Sequence, residues 1–167
     1  MNMILASSSY AAQTSLFDQL VRAAEESALV TLPYHLRNFL VVCLSAHVHD
    51  TEIVCETIAL SYLKAGEMRG EHAATLLRRA GEGALLLAGL FPERARRLNV
   101  SADYFCVVGQ TAYLTLATET QVVRDPDRRA FYGFVAEQFA ELIRVLRQAR
   151  ARPEREWEAF VRRTAPP

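Results

Sequence analysis

Apolar residues recur along nearly the whole chain at helical spacing. Between Ser15 and Ala28 they fall at Leu16, Phe17, Leu20, Val21, Ala24 and Ala28, with Asp18, Gln19, Arg22, Glu25 and Glu26 assigned to the opposite face. That pattern predicts an amphipathic helix lying on a core. Thr31 offers an N-cap, and Pro33 suits a first turn because its missing N–H would be unpaired there. A second helix is therefore expected from Leu32 to about His49, with Leu36, Phe39, Leu40, Cys43, Leu44 and His47 as its inner stripe, widened by Val41, Val42 and Val48. A third is expected over Glu52 to Ala65, facing Val54, Ile58, Tyr62 and Leu63 inward and closed by Gly66 as a left-handed C-cap.

The densest apolar stretch lies at the centre. A fourth helix is predicted from Glu71 to Leu90 or Phe91, amphipathic in its first half and apolar all round in ALLLAGLF, so buried on every side there. Pro92 ends it, because the residue before a proline is driven out of helical geometry. PERARRL reads as a short turn closed by Asn99, and Ser101 as the N-cap of a helix running to about Thr118. That helix carries apolar residues on most sides and is expected to be central. Asp125-Pro126-Asp127 combines an N-cap, an N1 proline and a first-turn acid. It opens a helix to about Arg147 whose stripe includes Phe131, Phe134, Val135, Phe139, Leu142, Ile143 and Leu146. Pro153 to Thr164, with Trp157, Phe160 and Val161, is expected to form a last short helix packed back as a lid.

No period-2 segment and no Asn-Gly or Asp-Gly turn suggests a hairpin. The expected fold is all-α: one domain over residues 1–167, a bundle of seven or eight helices with two central buried helices, and residues 1–12 as a loose arm.

Composition narrows the function classes. A formal charge of zero over 167 residues lacks the basic surplus that phosphate contacts demand, which argues against nucleic acid. Up to Met68 there are seven acids and three bases; the remainder of the 19 and 19 leaves twelve acids and sixteen bases. All cations but Lys64 are Arg, which fits either a coding bias or a surface that grips carboxylates and phosphates. Three widely spaced cysteines among apolar neighbours suggest buried thiols in a reducing compartment. The first residues lack a charged n-region and a long apolar run, and no run reaches a membrane span. A cytoplasmic protein without membrane contact is expected.

Candidate chemistry is sparse. His47, His49, Asp50, Glu52, Cys55 and Glu56 are potential metal ligands, but His47 and His49 diverge by about 200° on a helix and no HExxH pattern occurs, so no metal is expected. There is no Gly-x-Ser-x-Gly elbow, and Gly81-Glu82-Gly83 has no preceding strand and no following Lys-Ser/Thr, so it is not a phosphate loop. No cofactor and no catalytic residue is assigned. One polar group stands out: Glu82, between two glycines inside an apolar helix. Flanking glycines cost helix stability and fit close approach of another helix or of a ligand. A buried carboxylate needs a partner, for which Arg78 is in helical reach and Arg94 or Arg96 follow in the next turn. Tyr104, Gln110 and Tyr113 tip the other central helix, so a ligand pocket, if present, is expected between the two helices and lined by Arg78, Glu82, Arg94, Tyr104, Gln110 and Tyr113. Arg94, Arg96 and Arg97 form a basic knuckle that reads as a solvated turn.

The run Gly81-Glu82-x-x-Leu85-x-x-x-Gly89-Leu90-Phe91-Pro92-Glu93, then Val100-Ser101-x-Asp103-Tyr104-Phe105 and Gly109-x-x-Ala112-Tyr113, resembles a family of uncharacterised all-helical bacterial proteins. The resemblance covers roughly residues 30 to 165 and is specific in its central third, with Leu36-x-x-Phe39-Leu40 fitting more loosely. The family pattern often has Asp where Glu82 stands and Tyr where Phe105 stands. The resemblance implies the fold and brings no activity with it. Absent catalytic spacing and broad apolar helix faces together point to a non-catalytic helical protein that binds a protein partner or itself. The alternative is a small-molecule site, or an enzyme, around Glu82.

Overall fold

A computed structural model describes residues 2–47, 55–97 and 99–151. The protein is all-α, with eight helices among the described residues: α1 (Asn2–Ala28), α2 (Tyr34–His47), α3 (Cys55–Glu67), α4 (Gly70–Gly89), α5 (Pro92–Arg97), α6 (Ala102–Thr118), α7 (Pro126–Glu137) and α8 (Phe139–Arg150). The chain divides into two compact units, Met1–Thr51 with Val145–Pro167, and Glu52–Arg144. The expected helix over Pro153 to Thr164 lies outside the described residues.

In the first unit, α1 packs on α2. Phe17, Leu20, Val21, Ala24 and Ala28 are buried as the spacing predicts. The helix extends back to Asn2, through the residues expected to form a loose arm. Glu25 corrects the assignment of its face: it is only 5% exposed. Its Oε1 accepts from the Leu32 N–H at 2.7 Å, and Arg37 donates from Nε to Oε2 at 2.6 Å and from Nη2 to Oε1 at 3.0 Å. A buried carboxylate is tolerated when each oxygen is satisfied in this way. The bidentate contact raises the pKa of Arg37 above its ordinary value. It also sets the α1–α2 corner, where Leu29 adopts φ 54° and the Val30 N–H closes on the Glu25 carbonyl at 3.0 Å. The start of α2 differs accordingly. Helix begins at Tyr34 rather than Leu32, and the Pro33 carbonyl accepts from Leu36 and Arg37. Thr31 is therefore not the N-cap of α2, and the Leu32 N–H is held by Glu25. On α2, Leu36, Leu40, Val41, Cys43 and Leu44 are buried, whereas Val42 is exposed.

In the second unit α4 packs against α3 and α6, and α6 packs against α7. Gly66 does not end α3, which continues to Glu67; the left-handed glycine is Gly70, with φ 61°, at the start of α4. Ile58 and Ala65 are buried, but Leu63, expected inward, is 67% exposed. From Ala80 to Leu90 every residue of α4 is buried except Glu82, as its all-round apolar sequence requires. Beyond the Phe91-Pro92 corner, Asn99 takes φ 54° and its N–H reaches the Arg96 carbonyl. Ser101 then caps α6, accepting from the Tyr104 N–H at 3.1 Å. Asp125 caps α7 through the N–H groups of Asp127 and Arg128, with Pro126 at N1.

Two expectations fail here for physical reasons. α6 lies between α4 and α7 but is not enclosed: Phe105, Gly109, Ala112, Tyr113 and Leu116 are buried, while Val107 and Leu114 are 62% and 52% exposed. The long helix expected from Asp125 to Arg147 is broken at Gln138. Gln110 of α6 donates its Nε2–H to the Ala136 carbonyl at 3.1 Å. In an unbroken α-helix that carbonyl would accept from Ala140, so the Gln110 bond competes with continuation of the ladder.

Candidate functional site

The way α4 meets α6 packs Tyr113 into the core, and Gln110 is engaged by α7. A Cβ placed on Gly81 would lie 2.5 Å from Cε2 of Tyr113, so the glycine exists to admit that ring. Tyr113 is fully buried, its ring 6.0 Å from those of Tyr132 and Phe139. Gly109 is pressed in the same manner by Phe139, whose ring occupies the place a Cβ would need. The α4–α6 contact is thereby filled with aromatic carbon at the level of Gly81.

Around that contact, Glu82 is half-buried on α4, one residue beyond Gly81. Arg78 is half-buried too, and its Nε–H is buried with no hydrogen-bond acceptor among the described residues. Tyr104 stands at the first turn of α6, 47% exposed, edge-on to Phe105 at 5.4 Å and 78°. Gln110 points toward α7 rather than α4, as its bond to Ala136 shows. The Arg94 side chain lies outside the described residues, and so do His49, Asp50 and Glu52 and the side chains of Cys55 and Glu56 from the metal candidate. Arg96 and Arg97 are exposed, Arg96 within 3.5 Å of Glu93, which agrees with a solvated turn.

A surface feature that the sequence reading did not single out lies on the other side of α6. A groove of about 570 Å³ runs between α6 and α7, lined by Gln110, Thr111, Leu114, Ala130, Gly133, Phe134, Ala136 and Glu137. Its floor is shallow in side chains, because Gly133 and Ala130 carry almost nothing; a Cβ on Gly133 would only touch Ala117 at 3.8 Å. Leu114 and Phe134 stand on its two walls, both about half exposed, and Val107 continues the α6 wall one helical heptad earlier. Phe134 was expected on the buried stripe of its helix. The signal that separates these faces is the excess of apolar residues on α6, more than the helices packed against it cover.

Arg128 donates to both carboxylate oxygens of Glu71, at 2.7 and 3.4 Å, and to the Tyr132 hydroxyl at 3.5 Å, tying α7 to the start of α4. Arg128 holds the Glu71 carboxyl below its ordinary pKa, and its own pKa is raised, chiefly by Glu71 and then by Tyr132. Arg129 donates to the carbonyls of Val123 and Arg124, closing the loop before α7. Among the described residues no helix is long and apolar enough to cross a membrane. The fold and groove define an all-α protein with an open apolar helix face. No protein-family profile, curated protein or solved structure matches the chain.

Proposed function

We propose that this protein is a non-catalytic helical binding protein that engages a protein partner, or a second copy of itself, through the outer face of α6 and α7. The observation that carries this reading is the pair Leu114 and Phe134, each about half exposed beside a groove floored by small residues, with Val107 exposed one heptad before Leu114 on α6. Exposed apolar side chains grouped around a concavity mark interaction sites more often than apolar residues scattered singly. A partner helix laid in such a groove makes its contacts through i, i+3, i+4 and i+7 anchors. A cytoplasmic setting and membership of the all-helical bacterial family that the central sequence resembles are part of the same proposal.

The test is a Leu114→Glu/Phe134→Glu double variant, compared with the wild type by light scattering over a concentration series and by affinity capture. Both positions are exposed, so far-ultraviolet circular dichroism should be unchanged. The wild type should self-associate or retain a partner that the double variant loses. Identical behaviour of the two proteins would refute the assignment of this face.

A further inference from the structure

A second cleft in the Glu52–Arg144 unit carries charges of both signs. It encloses about 380 Å³ where the turn between α3 and α4 meets the loop after α6, and its apolar side includes Tyr62, Met68 and Leu77. Arg69 and Glu119 both line it. Both are exposed, and neither side chain has a hydrogen-bond or ion-pair partner among the described residues, so the two opposite charges share one cleft without pairing to each other. The two segments are pinned together beside them. Gly70, at φ 61°, donates its N–H to the Gln121 carbonyl at 3.0 Å, one residue after Arg69 and two after Glu119. Space remains beside Gly66, another lining residue, where a Cβ would find no atom within 4 Å.

We propose that this cleft binds a small zwitterion with an apolar tail, the chemistry of a free α-amino acid. Its carboxylate takes the guanidinium of Arg69, which presents a planar fork of donors suited to two oxygens. Its ammonium takes the carboxylate of Glu119, and its side chain lies against Tyr62, Met68 and Leu77. The volume falls within the range of small-ligand pockets, near the lower end. This proposal does not depend on the α6–α7 groove.

The test is a titration of the isotope-labelled protein with L-leucine and L-phenylalanine, read from the backbone amide shifts of Gly66, Gly70 and Gln121. 3-Phenylpropionate and phenethylamine, each lacking one of the two charges, serve as comparison ligands, and Arg69→Ala and Glu119→Gln as variants. Saturable shifts are expected with at least one zwitterion. Each singly charged analogue and each variant should bind about tenfold more weakly or worse, as loss of one charge-assisted hydrogen bond implies. Absence of saturable shifts with both amino acids, or equal binding of the singly charged analogues, would overturn the proposal. The Leu114→Glu/Phe134→Glu protein should bind the zwitterion unchanged, so failure of this cleft and failure of the groove reading are told apart.

Discussion

The two faces of α6 are built from similar residues and have opposite fates. Phe105, Gly109, Ala112, Tyr113 and Leu116 turn inward and are buried. Val107 and Leu114, seven residues apart on another face, remain more than half exposed. The difference lies in what the neighbours bring. On the inner face two aromatic rings, Tyr113 over Gly81 and Phe139 over Gly109, fill the space that glycine leaves. On the outer side Gly133 of α7 leaves space that no ring enters, and the result is a groove. A glycine in a helix is therefore either the seat of a neighbour or the floor of an opening, and only the opposing element decides which.

Breaking the inner face should give the largest effects. Tyr113→Ala removes a fully buried ring that three other aromatic or glycine positions pack around, and should cost about 3–5 kcal/mol in urea unfolding. Gly109→Ala places a methyl group where the Phe139 ring sits. Overpacking of that kind costs about 1–3 kcal/mol, against which alanine recovers about 1 kcal/mol of helix propensity, so a modest net loss is expected by the same measurement. Gly133→Ala is the matched control on the open side. Its Cβ would make only an ordinary contact with Ala117, so the helix propensity gain should stand alone and stability should rise by up to about 1 kcal/mol. Equal responses at Gly109 and Gly133 would erase the distinction between the faces.

The smallest effect is electrostatic. The folded-state pKa of Glu71 is depressed by Arg128, so the ion pair contributes stability above the ordinary carboxyl value of 4.5, and that contribution is lost as pH falls through the lower folded value. Because the pair is solvent-exposed its weight is minor. Thermal unfolding of Glu71→Gln should converge with that of the wild type in acid and fall slightly below it near neutrality.

Much of the architecture was legible from spacing and caps. Ser101, Asp125-Pro126 and Phe91-Pro92 mark helix ends through local rules that tertiary structure did not override. The all-round apolar half of α4 announced its own burial. What stayed hidden depended on distant residues. Glu25 reads as a solvent-facing charge until Arg37 and the Leu32 N–H are brought to it by the turn at Leu29. Gln110 reads as a polar tip between central helices, yet it bonds the Ala136 carbonyl 26 residues away where one helix becomes two. Of the six residues expected to line a pocket, only Gln110 among those described borders the α6–α7 groove, and Tyr113 is packed as core. Of the glycines flanking Glu82, Gly81 does mark a close approach, and the approaching group is an aromatic ring.

The central claim, that the outer face of α6 and α7 is the binding surface, is tested most directly by site-specific photo-crosslinking. A photoreactive phenylalanine analogue replaces Phe134, 50% exposed, in one protein and Leu63, 67% exposed and on α3, in another. Irradiation of the protein at its native abundance should give a discrete higher-mass adduct from position 134 and none from position 63. No adduct at 134, or matching adducts from both positions, would contradict the account.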